Sequence, residues 1–301
     1  MVVARVLCGL IVKGVHYGLT LLYTYLLPVF NIEETPRGFI FEVDWGLLKG
    51  FRCVFDEKSL LTECSDVPSE LLGEVSRLLG LDKRLVFSEV CRLAGLDRCV
   101  AGVVTLIYSP RYKLPVAYSI YLSRNTDYYI NTVRWVREAL SRGVVESSAY
   151  IPREFNRVKS LIDQTLLRSK SPVEEALDLL EIKGFGVKSA KAYLLHAYGL
   201  TEHAPIDRHY LRVLGVKPAI SKSRCISTGK LDCLRCSVNC AYRVATARFR
   251  ELNGAVQSLA YIYGRLKSKR RSSLEEALIK SPDYYVDHFE ALFKNLTSRD
   301  L

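Results

Sequence analysis

Apolar residues change their spacing along this chain, and the change divides it in two. Up to about residue 100, short alternating runs are broken by glycine. FIFEV (39–43) and FRCVF (51–55) place apolar side chains at every second position and predict strands of a small antiparallel sheet. Residues 66–73 predict the start of a helix with Pro68 in its first turn, and 87–93 predict another. From about 114 the spacing becomes three and four. LPVAYSIYLSRNTDYYINTVRWVREALSRG predicts a pair of core-facing helices, and a further helix follows near 153–168. Ser171-Pro172 opens the next, with Glu174 and Glu175 in its first turn and an end near Glu181. The predicted class is α+β. Residues 1–100 form a mixed N-terminal part with a small antiparallel β-sheet, and 101–301 form a mostly α-helical body that includes a Cys-rich loop, 225–240.

Size and composition leave this picture in place. A chain of 301 residues with 49% hydrophobic content can fill one elaborated core or two. Residues 10–30 are mostly apolar, but Lys13, His16, Gly14, Gly18 and Pro28 interrupt them before a membrane span accumulates. No secretory signal is arranged there either, and the expected location is the cytoplasm, as a monomer. A formal charge of +11 suits a polyanion such as nucleic acid, and equally a basic soluble protein with no such partner.

The most informative stretch is EIKGFGVKSAKAYLLHAYGLTEHAPIDRHYLRVLGV, 181–216. Lys183-Gly184-Phe185-Gly186 lies between two helical patterns, where the glycines allow a tight turn with backbone N–H groups facing outward, an anion site. A plain helix-to-helix turn could also look like this. Lys188 follows on the first turn of the next helix, where the positive end of the helix dipole favours the neutral amine. After an amphipathic helix, 190–198, Asp207 comes nineteen residues beyond Lys188 in a position to cap another helix.

Together these features resemble the helix-hairpin-helix DNA glycosylase superfamily, whose members carry L-P-G-V-G-x-K-T-A and then V-D-x-H-x-x-R. The resemblance implies that Lys188 and Asp207 are catalytic, and that Gly184 and Gly186 bind DNA phosphate. Upstream, residues 101–136 resemble the segment of 8-oxoguanine DNA glycosylases and endonuclease III that enters the helical body, with Asn125 at the position of the polar side chain that fills the gap left by a flipped nucleotide. Downstream, FRELNGAVQSLAYIYGRL (249–266) predicts one helix, on which Gln257 and Tyr261 resemble the pair that grips the damaged base. The same helix, with Val256, Leu259, Ala260 and Tyr263, also reads as plain core. Residues 267–271 read as a solvated basic linker.

Nine cysteines are many for a cytoplasmic protein. Cys225, Cys233, Cys236 and Cys240 give C-x7-C-x2-C-x3-C, flanked by Lys222, Arg224, Lys230, Arg235 and Arg243. Four thiolates so close suit an iron-sulfur cluster, with Zn2+ second and two disulfides as the non-metal alternative. The loop resembles the [4Fe-4S] cluster loop of endonuclease III, though its spacing differs at both ends and it follows Asp207 sooner. The dispersed cysteines read mostly as buried thiols. One Met and two Gln resemble a thermophile bias, under which a Cys91–Cys99 disulfide is expected.

The implied activity is that of a bifunctional DNA glycosylase and AP lyase acting on double-stranded DNA with a damaged base or an abasic site, 8-oxoguanine favoured. An endonuclease III-like enzyme for oxidised pyrimidines and a non-catalytic DNA-binding module are the alternatives. A binding module needs neither Lys188 nor Asp207.

Overall fold

Side chains alternate in and out along the first part of the chain because it is built of paired strands. The structure, a computed structural model, describes residues 7–168, 170–215, 225–227 and 231–298. Five strands, β1 (Leu7–Lys13), β2 (Phe30–Thr35), β3 (Gly38–Val43), β4 (Arg52–Asp56) and β5 (Leu61–Pro68), form one antiparallel sheet in the order β1-β5-β4-β3-β2. Phe39 pairs with Phe55 and Phe41 with Cys53, so the register gathers these side chains on the buried face.

Cys53 also pairs across strands with Cys64, and the two form a disulfide. The sequence reading had them as thiols; the strand register that joins them is a long-range fact that spacing does not reveal. The expected Cys91–Cys99 disulfide is present. A second correction concerns 66–73. Pro68 ends β5 opposite Leu7, and the helix α2 starts only at Leu72 (Leu72–Leu78), after a 3-10 turn. At that strand end proline is tolerated, since it needs to donate no further ladder bond.

The small α1 (Tyr17–Leu21) packs under the sheet, and α3 (Arg84–Leu93) leads into the helical body. There, α4 (Lys113–Leu122) is buried along its whole length from Pro115 onward, so it is a central helix rather than one face of a pair. A π-helical turn at Tyr128–Thr132, capped by the Asp127 carboxylate, joins it to α5 (Val133–Arg142), which buries only one side. Then follow α6 (Tyr150–Leu167), α7 (Pro172–Glu181), α8 (Val187–Tyr198) and α9 (Arg208–Leu214). The single helix predicted over 249–266 is broken. One helix, α10 (Ala241–Phe249), ends where Arg250 takes φ 46°, and α11 (Asn253–Leu266) starts after a 3-10 turn.

The break lets α11 dock end-on against the turn that follows α8. Gly254 N–H donates to the carbonyl of Thr201 at 2.6 Å, and a Cβ there would lie 2.6 Å from Leu195 Cδ1, so the approach needs glycine. Two helices the sequence reading did not anticipate, α12 (Ser273–Leu278) and α13 (Pro282–Ser298), complete the described chain. One continuous core of buried side chains runs from the sheet through α4, α8 and α11 to α13. No helix among the described residues is long and apolar enough to cross a membrane.

Candidate active site

The hairpin occupies residues 182–186, between α7 and α8. Ser171 caps α7 in a reciprocal capping box with Glu174, and Gly186 is the N-cap of α8. Gly184 takes φ +100°, and a Cβ on it would lie 2.2 Å from Arg124 Nη1 and 2.9 Å from Tyr121 Cε2. Both the backbone angle and the contact demand glycine. The residues it meets lie at the end of α4 and just beyond it. Phe185 packs its ring on Tyr121 at 5.5 Å, the Arg124 guanidinium lies 3.8 Å from the centre of the Tyr121 ring, and Lys183 pairs with Glu154 at 3.0 Å. The same contacts set the position of the next residue, Asn125, which is exposed with φ 51°. Gly186 has open space where a Cβ would go, consistent with a surface that a ligand can approach.

Lys188, on the first turn of α8, is exposed and has no hydrogen-bond or ion-pair partner among the described residues. Lys191, one turn later, is its opposite. It is buried, and its Nζ donates to the Leu231 carbonyl at 2.7 Å and lies 3.1 Å from His203 Nδ1.

Asp207 caps α9 as predicted. Its Oδ1 accepts from the N–H groups of His209 and Tyr210, each at 2.8 Å, and its Oδ2 accepts from the Gln257 amide at 2.9 Å. Gln257 is 4% exposed, so its predicted contact with a base is shared with a structural bond to Asp207. Tyr261, one turn further along α11, stands edge-on to His209 at 5.6 Å. Burial pushes the Tyr261 hydroxyl well above its ordinary pKa, and pulls that of His209 down against the opposing pull of Asp207.

These residues come from segments far apart in the chain and converge on one cleft of about 610 Å3. Asn125, Lys188, Asp207, Gln257 and Tyr261 all line it. Gly184 and Gly186 are not in its wall; they lie outside it on the hairpin. Sequence reasoning missed the aromatic remainder of the wall, Tyr23, Tyr25, Tyr128 and His196, and the cation Arg265. For His196 a helical-spacing signal existed, since it lies two turns beyond Lys188 on α8. The N-terminal tyrosines carried none. Burial in this wall pulls the His196 imidazole down to about 3, so the ring is neutral.

Cys225, Cys233, Cys236 and Cys240 are buried thiols, and all four line a second, small cavity with Leu231, Asp232, Tyr242 and Arg243. Burial, and then the neighbouring Cys233, push the Cys225 thiol up. Among the described residues no three His, Cys, Asp or Glu side chains are drawn together as tightly as in a coordination sphere. Four thiol sulfurs around one cavity, with Arg243 in its wall, are the donor chemistry that a soft metal takes. Arg235 pairs with Asp232 at 3.4 Å, whereas Lys222, Arg224 and Lys230 lie outside the described residues.

A five-stranded antiparallel sheet leading into a helical body with a hairpin before α8 is the fold also seen in solved structures of 8-oxoguanine glycosylases. Among solved structures, the chain is similar to the Clostridium acetobutylicum 8-oxoguanine glycosylase/lyase in complex with double-stranded DNA containing cytosine opposite 8-oxoguanine. That match has a TM-score of 0.56 at 13% identity and covers 86% of this chain and 97% of the other. The apo form of the same enzyme matches with a TM-score of 0.53 at 13% identity, covering 86% and 97%. MBOgg1 in complex with a low affinity DNA ligand matches with a TM-score of 0.56 at 12% identity, covering 87% and 98%. At such identities the likeness is one of fold. No family model matches the chain, and no curated protein does.

Proposed function

We propose that this chain is a bifunctional DNA glycosylase with AP lyase activity, acting on double-stranded DNA and favouring an oxidised purine such as 8-oxoguanine. The observation that carries this reading is that Lys188 and Asp207, on different helices, line one cleft in which the lysine has no ion-pair partner among the described residues. Lys191 on the same helix is instead buried and hydrogen-bonded to the Leu231 carbonyl.

A stacked base offers no access to its sugar, so the nucleotide must be extruded into the cleft at an unstacking cost of about a few kcal/mol. The hairpin N–H groups at Gly184 and Gly186 would hold a phosphate, and Asn125 at the cleft mouth would occupy the vacated space in the duplex. The Asp207 carboxylate, held by three hydrogen bonds, faces the positive charge that develops on the sugar as the base departs. The Lys188 amine, having given up its proton, donates its electron pair to C1′, and the base leaves with the electrons of the glycosidic bond. Loss of the ring oxygen bond to C1′ gives a Schiff base. Removal of a C2′ proton then expels the 3′ phosphate. Borohydride reduction in the presence of damaged duplex should leave the protein covalently attached to DNA, and a Lys188→Ala protein that still forms the adduct would overturn the assignment.

For the cysteine loop we propose a [4Fe-4S] cluster held by Cys225, Cys233, Cys236 and Cys240, with zinc as the second choice. Such a centre would supply structural closure of the loop, which Lys191 ties to the catalytic helix through Leu231.

A further inference from the structure

His196 lies in the cleft wall eight residues past Lys188 on α8, about 12 Å further along the helix axis at about 1.5 Å per residue. Its ring is 2% exposed. Tyr25 meets it edge-on at 5.0 Å and Tyr23 at a tilt at 5.8 Å, so its orientation is set from two sides. Yet one of its ring nitrogens is buried without a partner. Nδ1 is sealed from solvent with no hydrogen-bond partner, whereas Nε2 is not sealed and has no partner among the described residues. Buried polar groups are nearly always paired, and an unpaired one lowers stability. Leucine would fill this space without that penalty. An imidazole kept inside the cleft at that cost, with its other nitrogen unsealed and unpartnered among the described residues, points to a partner for Nε2 that arrives with the substrate.

Burial leaves the ring with one proton and two nitrogens. A bare acceptor is cheaper to bury unpaired than an N–H, which puts the proton on Nε2 and leaves Nδ1 as the sealed lone pair. We propose that His196 is a specificity-determining residue that donates a hydrogen bond from Nε2 to a carbonyl oxygen on the edge of the extruded base. The inference rests on the glycosylase reading above. It adds a polar contact at the far end of the cleft from Lys188, so that the sugar end of the nucleotide meets the amine while the base edge meets the imidazole. Tyr25 and Tyr128, which face each other edge-on at 5.7 Å, supply the aromatic surface beside it.

The test uses the wild type, His196→Leu and His196→Gln on two kinds of duplex. One is a panel carrying single 8-oxoguanine, uracil or thymine glycol residues; the other carries an abasic site, which has no base to read. For the base that the wild type excises best, His196→Leu should lose roughly 10- to 100-fold in kcat/KM, the worth of about one buried hydrogen bond. Glutamine, which keeps a donor, should recover part of it. Borohydride trapping on the abasic duplex should stay at the wild-type level in both variants, and neither the melting temperature of His196→Leu nor its circular dichroism should fall. Equal losses on both duplexes would make His196 structural, and unchanged excision would make it idle; either overturns the proposal. So would a wild type that traps on the abasic duplex but excises none of the bases. A wild type that fails even to trap strikes at Lys188 and the glycosylase reading first.

Discussion

The side-chain amide of Gln257 donates to Oδ2 of Asp207 at 2.9 Å, tying the first turns of α11 to the start of α9. With Oδ1 committed to the N–H groups of His209 and Tyr210, the carboxylate is fixed in the cleft wall from two directions. Asp207 is therefore both a cap and the proposed catalytic charge, and substitutions can separate the two. Asparagine caps a helix as well as aspartate. An Asp207→Asn protein should melt within a few degrees of the wild type while single-turnover base excision falls roughly 100- to 1,000-fold, the scale of a lost electrostatic stabiliser. Gln257→Leu should lose about 10-fold in excision through a less constrained carboxylate.

Two lysines three residues apart on α8 should respond in opposite ways. Lys188→Ala removes an exposed side chain with no partner among the described residues and should leave the denaturation midpoint unchanged while abolishing the borohydride adduct. Lys191→Ala strips the Leu231 carbonyl of a buried donor and should lower stability by about 1–3 kcal/mol, measured in urea.

Gly184→Ala places a Cβ at φ +100° against Arg124 and Tyr121. The strain should destabilise the fold by about 1–3 kcal/mol and shift the hairpin. Weaker binding to undamaged duplex, followed by fluorescence anisotropy at fixed salt, is the accompanying result.

Acid should weaken the fold through His196. Its ordinary pKa of 6.5 in the unfolded chain falls to about 3 in the folded one, so between those values the unfolded state binds the extra proton. The His196 contribution is undiminished above about pH 6.5 and is lost progressively as the pH falls toward about 3. The urea midpoint of the wild type should decline from pH 7 to pH 4, and that of His196→Leu should decline less.

The cysteine loop should bring metal with it. Protein purified without oxygen should be brown and contain iron and acid-labile sulfide in about equal amounts. Zinc in place of iron would decide for the second choice, and four titratable thiols with neither metal would remove both. Cys233→Ser should lower the metal content.

The local patterns were legible. Alternation predicted β3 and β4, three-and-four spacing predicted α4 to α7, and the hairpin glycines, Lys188 and the Asp207 cap stand where the motif put them. Such features depend on residues within a few positions of each other, whose spacing sets the face of a helix or strand to which a side chain belongs. Pro68 and Arg250 mark where that reasoning failed. Pairing of β5 with β1, and docking of α11 on the turn at Thr201, overrode the local preference.

The sequence by itself determined the fold class, the hairpin and the two charged residues at the heads of α8 and α9. Only the tertiary structure decided that Cys53 meets Cys64, that Gln257 holds Asp207, and that Tyr23, Tyr25 and His196 close the same cleft as Lys188. Contacts between residues tens or hundreds of positions apart depend on how whole elements pack, and packing is set by the joint volume and shape of the core, which no short stretch of sequence carries.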